Sequence, residues 1–204
     1  MWHYEKRLQF PVHITKTCPK TASLIISQFG GPDGELAASM RYLSQRYTMP
    51  CKEVGGLLTD IGTEELAHLE MICAIIYQLT KNMKIEDAKA CGFDAYYIDH
   101  TAGIWPVAAA GVPFNACEFQ SKGDAITDLT ENLAAEQKAR STYDNLIRII
   151  DNPEVVEPLK FLRAREIVHF QRFGEAMEKI KSTLDSKNFY YFNPEFDKQF
   201  VTKK

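Results

Sequence analysis

The chain has 204 residues, of which 45% are hydrophobic and 25% are charged, as expected for a globular protein with one full core. Its net charge of −3 gives no electrostatic footprint for nucleic acid, and no run of about 18 apolar residues predicts a membrane span. The five cysteines, an odd number without a Cys-x-x-Cys pair, argue against a disulfide framework or a zinc ribbon.

The N-terminal part of the chain predicts an extended arm followed by two helices. Residues 1–19 contain two prolines, which disfavour helix. They also lack an apolar signal core, so we expect cytoplasmic synthesis without a signal peptide. A short helix is predicted over about 20–29. The first long helix should run from near Asp33, a good N-cap residue, to about Thr48.

Glu35 lies in the first turn of this long helix, where the helix dipole favours a carboxylate without any further role. Tyr42 lies two turns later on the same face. It is either a core tyrosine or a hydrogen-bond donor to a site that Glu35 helps to form. These two residues therefore indicate a site only if other helices supply matching groups.

The second long helix, predicted over about 52–80, contains the pair Glu65-x-x-His68. These side chains lie one turn apart on one helix face, where a carboxylate and an imidazole can bind a transition metal together. They interrupt an apolar stripe, so the pair should face the core, where a charge must be paired or must coordinate a metal. Glu64 and Glu70 are predicted to point away and to be solvated. The stripe consists of Leu58, Ile61, Ile72, Ile75 and Leu79.

Residues 81–123 predict a long connection with at most a short helix over 86–90, because glycines and prolines interrupt the rest. The third long helix is predicted from near Lys122 to Ile150 and the fourth over about 154–183. Glu136 breaks the apolar face of the third helix. Its alternative explanation is a buried ion pair with Arg140 one turn on.

The fourth helix repeats the Glu-x-x-His spacing as Glu166 and His169, again inside an apolar stripe. Two single-glutamate helices and two Glu-x-x-His helices form the ligand layout of ferritin-like di-iron and di-manganese bundles. The sequence therefore predicts an all-α, ferritin-like four-helix bundle with one long crossover. We expect one domain over 1–204, with the bundle at about 20–183 and extended arms at 1–19 and 184–204.

The same residues lie in segments that resemble the manganese catalase family over roughly 20–183. The opening residues and the segment Leu43 to Thr48 are most similar to its short spore-coat branch. The chain differs from longer members by Ala135, where some have a basic residue, and by a shorter C-terminal region. The resembling segments are Gly34 to Ala38, Asp60 to Met71, Leu133 to Arg140 and Arg165 to His169.

This resemblance implies a role for each candidate residue. One manganese ion would be held by Glu35, Glu65 and His68, and Glu65 would bridge to a second ion. Glu166 would lie just outside the ligands as a proton carrier, although in the wider ferritin-like pattern it is itself a ligand. The second ion would be completed by Glu136 and His169.

The resemblance also implies disproportionation of hydrogen peroxide to oxygen and water at two manganese ions. It implies a homo-oligomer, a hexamer, that is located in the spore coat with other coat proteins as partners. Neither nucleic acid nor a membrane is expected as a partner. Iron is the alternative metal, because the donor atoms do not select manganese and the affinity order slightly favours Fe(II). Two other functions stay open: a di-iron oxidase on the same bundle, and a structural coat subunit with a vestigial metal site.

Overall fold

The computed structural model describes residues 5, 7–118 and 120–183. Eight α-helices account for most of them, and no β-strand longer than an isolated bridge occurs in these ranges. None of the described helices combines the length and hydropathy that a membrane span needs. The helices are α1 (Pro19–Ile25), α2 (Ser27–Gly30), α3 (Glu35–Gln45), α4 (Lys52–Thr80), α5 (Ile85–Cys91), α6 (Asp94–His100), α7 (Ala125–Ile149) and α8 (Pro153–Ser182).

Helices α3, α4, α7 and α8 form a bundle in which α3 packs mainly on α4 and α7 on α8. Residues early in α4 and early in α7 share one apolar cluster, and residues late in both helices share another. Helices α4 and α7 therefore run in the same direction, so the chain between them must cross the length of the bundle. The predicted all-α bundle with one long crossover is confirmed.

The bundle interior contains two apolar clusters with a polar layer between them. One cluster includes Ile72 of α4 and Leu162 of α8, and the other includes Ile61 of α4 and Phe173 of α8. The buried glutamates and histidines lie between these positions along both helices. Since buried polar groups are costly unless they are paired, this layer needs partners of its own.

The two hairpins α3–α4 and α7–α8 repeat one spacing. Glu35 precedes Glu65 by 30 residues, and Glu136 precedes Glu166 by 30 residues. In each hairpin the second glutamate begins a Glu-x-x-His pair. The bundle thus brings together two hairpins that have the same spacing of their glutamates and histidines.

Most predicted boundaries hold within a few residues, with two differences. Helix α3 begins after Gly34, which is its N-cap, so Asp33 is not the N-cap as predicted. Helix α6 was not predicted and follows Gly92, whose φ of 77° ends α5 in the left-handed conformation. The described part of the N-terminal arm, 7–18, has no helix before α1 begins at Pro19, and the predicted arm at 184–204 lies outside the described residues.

At Gly30 of α2 the crossover passes close to the backbone of the preceding helices. A Cβ atom at Gly30 would lie 2.3 Å from the backbone of Pro106 and Val107, whereas one at Gly56, inside α4, would meet nothing within 4 Å. We expect Gly30→Ala to lower the free energy of unfolding by about 1–3 kcal/mol, because backbone must move. Gly56→Ala should raise it by roughly 0.5–1 kcal/mol through helix propensity. Urea unfolding at one protein concentration measures both, and equal effects would contradict the close approach.

Candidate metal centre

Six side chains from the four bundle helices converge in the polar layer. Ligand atoms of Glu35, Glu65, His68 and Glu166 lie within 4.8 Å of one another, and so do those of Glu65, Glu136 and His169. All six residues are at most 3% exposed. The structure therefore brings all the predicted ligands and the predicted proton carrier to one place, and Glu65 is common to both groups.

Glu65 lies at the middle of this arrangement, with one imidazole at each carboxylate oxygen. The Nδ1 atom of His68 is 2.8 Å from Oε2, and the Nδ1 atom of His169 is 2.9 Å from Oε1. The two rings are nearly parallel, with centroids 5.5 Å apart. Glu65 therefore has the position that a bridging ligand between two cations would need.

The outer glutamates flank the same imidazole nitrogens. Glu35 Oε2 lies 3.6 Å from His68 Nδ1, and Glu136 Oε2 lies 3.5 Å from His169 Nδ1. Each group thus consists of an outer carboxylate, an imidazole and one oxygen of Glu65. Glu166 joins the Glu35 group, so its position is consistent either with a ligand or with a proton carrier beside the ligands.

Two tyrosines hold the outer glutamates in a crossed pattern. The hydroxyl of Tyr143 on α7 donates to Glu35 on α3, and the hydroxyl of Tyr42 on α3 donates to Glu136 on α7. Tyr42 is therefore a hydrogen-bond donor to the centre. Tyr143 was not predicted as a site residue, although it follows Glu136 by the same two turns that separate Tyr42 from Glu35.

Several buried donor atoms in this layer have no hydrogen-bond partner in the described part of the chain. They include one oxygen each of Glu136 and Glu166. Glu65 Oε1 and His169 Nδ1 belong to this set as well, because they lie 2.9 Å apart without the geometry of a hydrogen bond. Unpaired buried oxygens and nitrogens cost free energy, and all of these are atoms that coordinate divalent cations. The residues present therefore fit a manganese or iron centre.

The pKa values of the glutamates in the polar layer also fit a site for cations. Burial, together with the Glu65 charge, raises the pKa of Glu35 to about 7. Burial and the neighbouring carboxylates Glu136, Glu35 and Glu65 raise the pKa of Glu166 well above its usual range. Burial opposes ionisation of Glu65 as well, but the two imidazoles hold its pKa well below its usual range. Without cations, the layer retains protons to limit its negative charge.

Glu64 is not solvated, contrary to the prediction. Its side chain is 17% exposed, and its carboxylate accepts hydrogen bonds from Arg165 and from His169 Nε2. Helix α8 brings both donors to the edge of α4, which the pattern of α4 alone does not show. The contacts with His169, His68 and Arg165 outweigh burial and hold the pKa of Glu64 well below its usual range.

The suggested ion pair between Glu136 and Arg140 does not form. Arg140 donates instead to Gln137 and Asp144, on the outer side of α7. The five cysteines are free, as predicted. Cys73 is only partly buried, and burial raises the pKa of its thiol to about 11.

Comparisons with known proteins agree with this arrangement. The sequence profile of manganese containing catalase matches residues 1–204. The chain is 52% identical over 190 residues to Protein CotJC of Bacillus subtilis (strain 168), covering 93% of this chain and 100% of that protein. It is 34% identical over 193 residues to a probable manganese catalase of Clostridium acetobutylicum, covering 93% and 85% of the two chains.

A solved structure supports the same assignment. The crystal structure of KatB, a manganese catalase from Anabaena, superposes with a TM-score of 0.84 at 31% identity. The match covers 95% of this chain and 85% of KatB. The chain therefore belongs to the manganese catalase family.

Proposed function

We propose that the protein disproportionates hydrogen peroxide to oxygen and water at two manganese ions held in the polar layer. The observation that carries this proposal is the place of Glu65 in both ligand groups, with an imidazole at each of its oxygens. Glu35, Glu65 and His68 would hold one ion, and Glu65, Glu136 and His169 the other. When bound, two manganese ions would supply the two-electron oxidation and reduction that the reaction requires.

The chain's own residues would control geometry and protons. Tyr42 and Tyr143 hold the outer glutamates through one oxygen each, which leaves the second oxygen of each turned to the imidazoles. Glu166 is buried beside three carboxylates that favour its protonated form. In its protonated form it would give one of the two protons that the reduced peroxide takes up. It would regain a proton at its free oxygen, Oε1, from the peroxide that is oxidised, as a general acid and base.

The test of this proposal combines elemental analysis with an oxygen-electrode assay on one sample of purified protein. We expect two manganese ions per chain and oxygen release from peroxide without an added reductant. Pure manganese-loaded protein that releases no oxygen would contradict the proposal. Bound iron with consumption of oxygen would instead support a di-iron oxidase, since carboxylate and imidazole donors accept either metal.

We further propose that the protein is a homo-oligomer, a hexamer, and a component of the spore coat together with other coat proteins. Support comes from the likeness to the short spore-coat branch of the family, which the opening residues and the segment Leu43 to Thr48 carry. Light scattering after gel filtration measures the subunit number. Fractionation of purified spores tests the location.

Stability of the metal-free protein should fall as pH rises from about 5 to 8. Glu35, with its pKa raised from 4.5 to about 7, binds a proton in the folded state that the unfolded chain has already released. The pKa of both histidines is raised as well, because the charges of Glu65 and the nearby glutamates outweigh burial. The histidines therefore stabilise the folded state fully below about pH 6.5, and this stabilisation is lost as the pH rises further. Glu64 and Glu65, whose pKa values are lowered, contribute fully throughout this window.

We expect the total decrease to be on the order of 3 kcal/mol, measured by urea unfolding of chelator-treated protein. Manganese should offset it, because metal binding requires deprotonated ligands and becomes stronger as pH rises. A metal-free protein that gains stability across this range would contradict the assigned protonation.

A further inference from the structure

Glu64 lies beside the centre but belongs to neither ligand group. We propose that Glu64 is a positioning residue that holds both imidazole rings with Nδ1 turned to the metal ions, and that Arg165 holds Glu64 in place. The inference rests on the proposed metal centre and adds to it a residue that supplies no donor atom to either group.

The carboxylate of Glu64 is held from three directions. Its Oε1 atom accepts from Gln9 Nε2 at 2.7 Å and from Arg165 Nε at 2.7 Å. Its Oε2 atom accepts from Arg165 Nη2 at 3.2 Å and from His169 Nε2 at 2.9 Å. The paired contact with the guanidinium fixes the plane of the carboxylate, and Gln9 ties it to the N-terminal arm.

Both imidazoles turn the same nitrogen to this carboxylate. Besides the bond from His169, the Nε2 atom of His68 lies 3.7 Å from Glu64 Oε1 and has no hydrogen-bond partner among the described residues. Both rings are fully buried, so bulk solvent does not reach them to replace Glu64 as the hydrogen-bond acceptor. One carboxylate therefore faces the outer nitrogen of both rings.

The contact with Glu64 determines which nitrogen of each histidine ring can bind a metal. An ionised carboxylate only accepts hydrogen bonds, so Nε2 of His169 bears hydrogen. The charge of Glu64 also favours hydrogen on Nε2 of His68, at 3.7 Å. In the metal-free protein Nδ1 also bears hydrogen, because it faces Glu65. A cation that took the place of this hydrogen would leave a neutral imidazole with hydrogen on Nε2 and its lone pair on Nδ1. In both histidines Nδ1 is the atom beside Glu65 and the outer glutamate, so the lone pairs point into the two ligand groups.

Arg165 also keeps the charge of the layer in balance. The four glutamates of the centre already give an excess of negative charge, and an unpaired fifth carboxylate beside them would add to it. The guanidinium of Arg165 neutralises Glu64, so Glu64 can orient the rings without increasing that excess. A simple surface ion pair between α4 and α8 would have no such link to metal binding, and this difference can be measured.

The experiment measures the Kd for Mn²⁺ by competition with a chelator, in wild type and in Glu64→Gln. The matched control is Glu53→Gln, since Glu53 also lies on α4 and also pairs with a cation of α8, Lys179, but is 68% exposed. We expect Glu64→Gln to weaken Mn²⁺ binding about 10–100-fold, the effect usual for a partner that orients a ligating histidine. Glu53→Gln should bind as wild type does.

Two further measurements separate positioning from a general structural role. Histidine nitrogen NMR of zinc-loaded protein should show the metal on Nδ1 of both rings in wild type and a loss of this uniform state in Glu64→Gln. Arg165→Gln, which removes no group that faces the imidazoles, should weaken Mn²⁺ binding less than Glu64→Gln. The double variant should resemble Glu64→Gln alone, because Arg165 acts through Glu64.

A Glu64→Gln protein that binds Mn²⁺ as tightly as wild type would overturn the inference while leaving the proposed function intact. If Glu64→Gln fails to fold, Arg165→Gln decides, and unchanged Mn²⁺ affinity in that variant overturns the inference. A wild-type protein that binds no Mn²⁺ would instead overturn the proposed function.

Discussion

Glu65→Gln should abolish peroxide turnover and reduce bound manganese from two ions to less than one per chain. Glu65 is the residue shared by both ligand groups, and a neutral amide cannot supply an anionic oxygen to two cations. In the metal-free protein the change also leaves two buried imidazoles without the carboxylate between them. We expect a loss of about 3 kcal/mol in the free energy of unfolding, which a domain of ordinary stability survives.

The measurements are elemental analysis, oxygen release, and gel filtration with light scattering. Glu53→Gln is again the control on the same helix, and it should retain metal and turnover. Unchanged assembly in an inactive Glu65→Gln protein would separate the enzyme from a purely structural subunit. A Glu65→Gln protein that still binds two manganese ions would contradict a bridging role.

Glu166→Gln should retain two manganese ions per chain while turnover falls roughly 10²–10⁴-fold, the usual contribution of a general acid or base. Glutamine has the shape of the protonated carboxyl group that burial and the neighbouring carboxylates favour at this position. The metal-free protein should therefore keep its stability near neutral pH. The substitution removes only the capacity to release and regain a proton.

Glu178→Gln is the control for this variant, because Glu178 lies on the same helix, is 75% exposed and pairs with the neighbouring Lys181. Metal content decides the role of Glu166. A decrease to one manganese ion in Glu166→Gln would make Glu166 a ligand of the Glu35 group rather than a proton carrier.

The four long helices and the convergence of their polar residues could be predicted, because the apolar stripe of each helix shows which of its faces is buried. Glu65 and His68 interrupt an apolar stripe, and so do Glu166 and His169. An interrupted stripe at helical spacing identifies a buried polar layer before any coordinates are known. The ligand roles themselves stay predictions until a metal is measured.

Glu64 could not be placed in the same way, because its environment comes from another helix. Around α4 it lies outside the apolar stripe, which is the usual pattern of a solvated residue. Only the register of α8 against α4 brings Arg165 and His169 to it. Helix α6 was missed for a different reason, since the surrounding glycines suggested irregular chain. The contact of Tyr96 with the apolar cluster of the bundle is visible only in the structure.

The equal spacing of the two hairpins sets a limit on how far they can resemble each other. If the two hairpins were identical, the residue before each Glu-x-x-His pair would be the same in both. Two like charges would then meet where Glu64 and Arg165 now pair. A chain with two different hairpins can place opposite charges at these equivalent positions, which no assembly of identical hairpins could achieve.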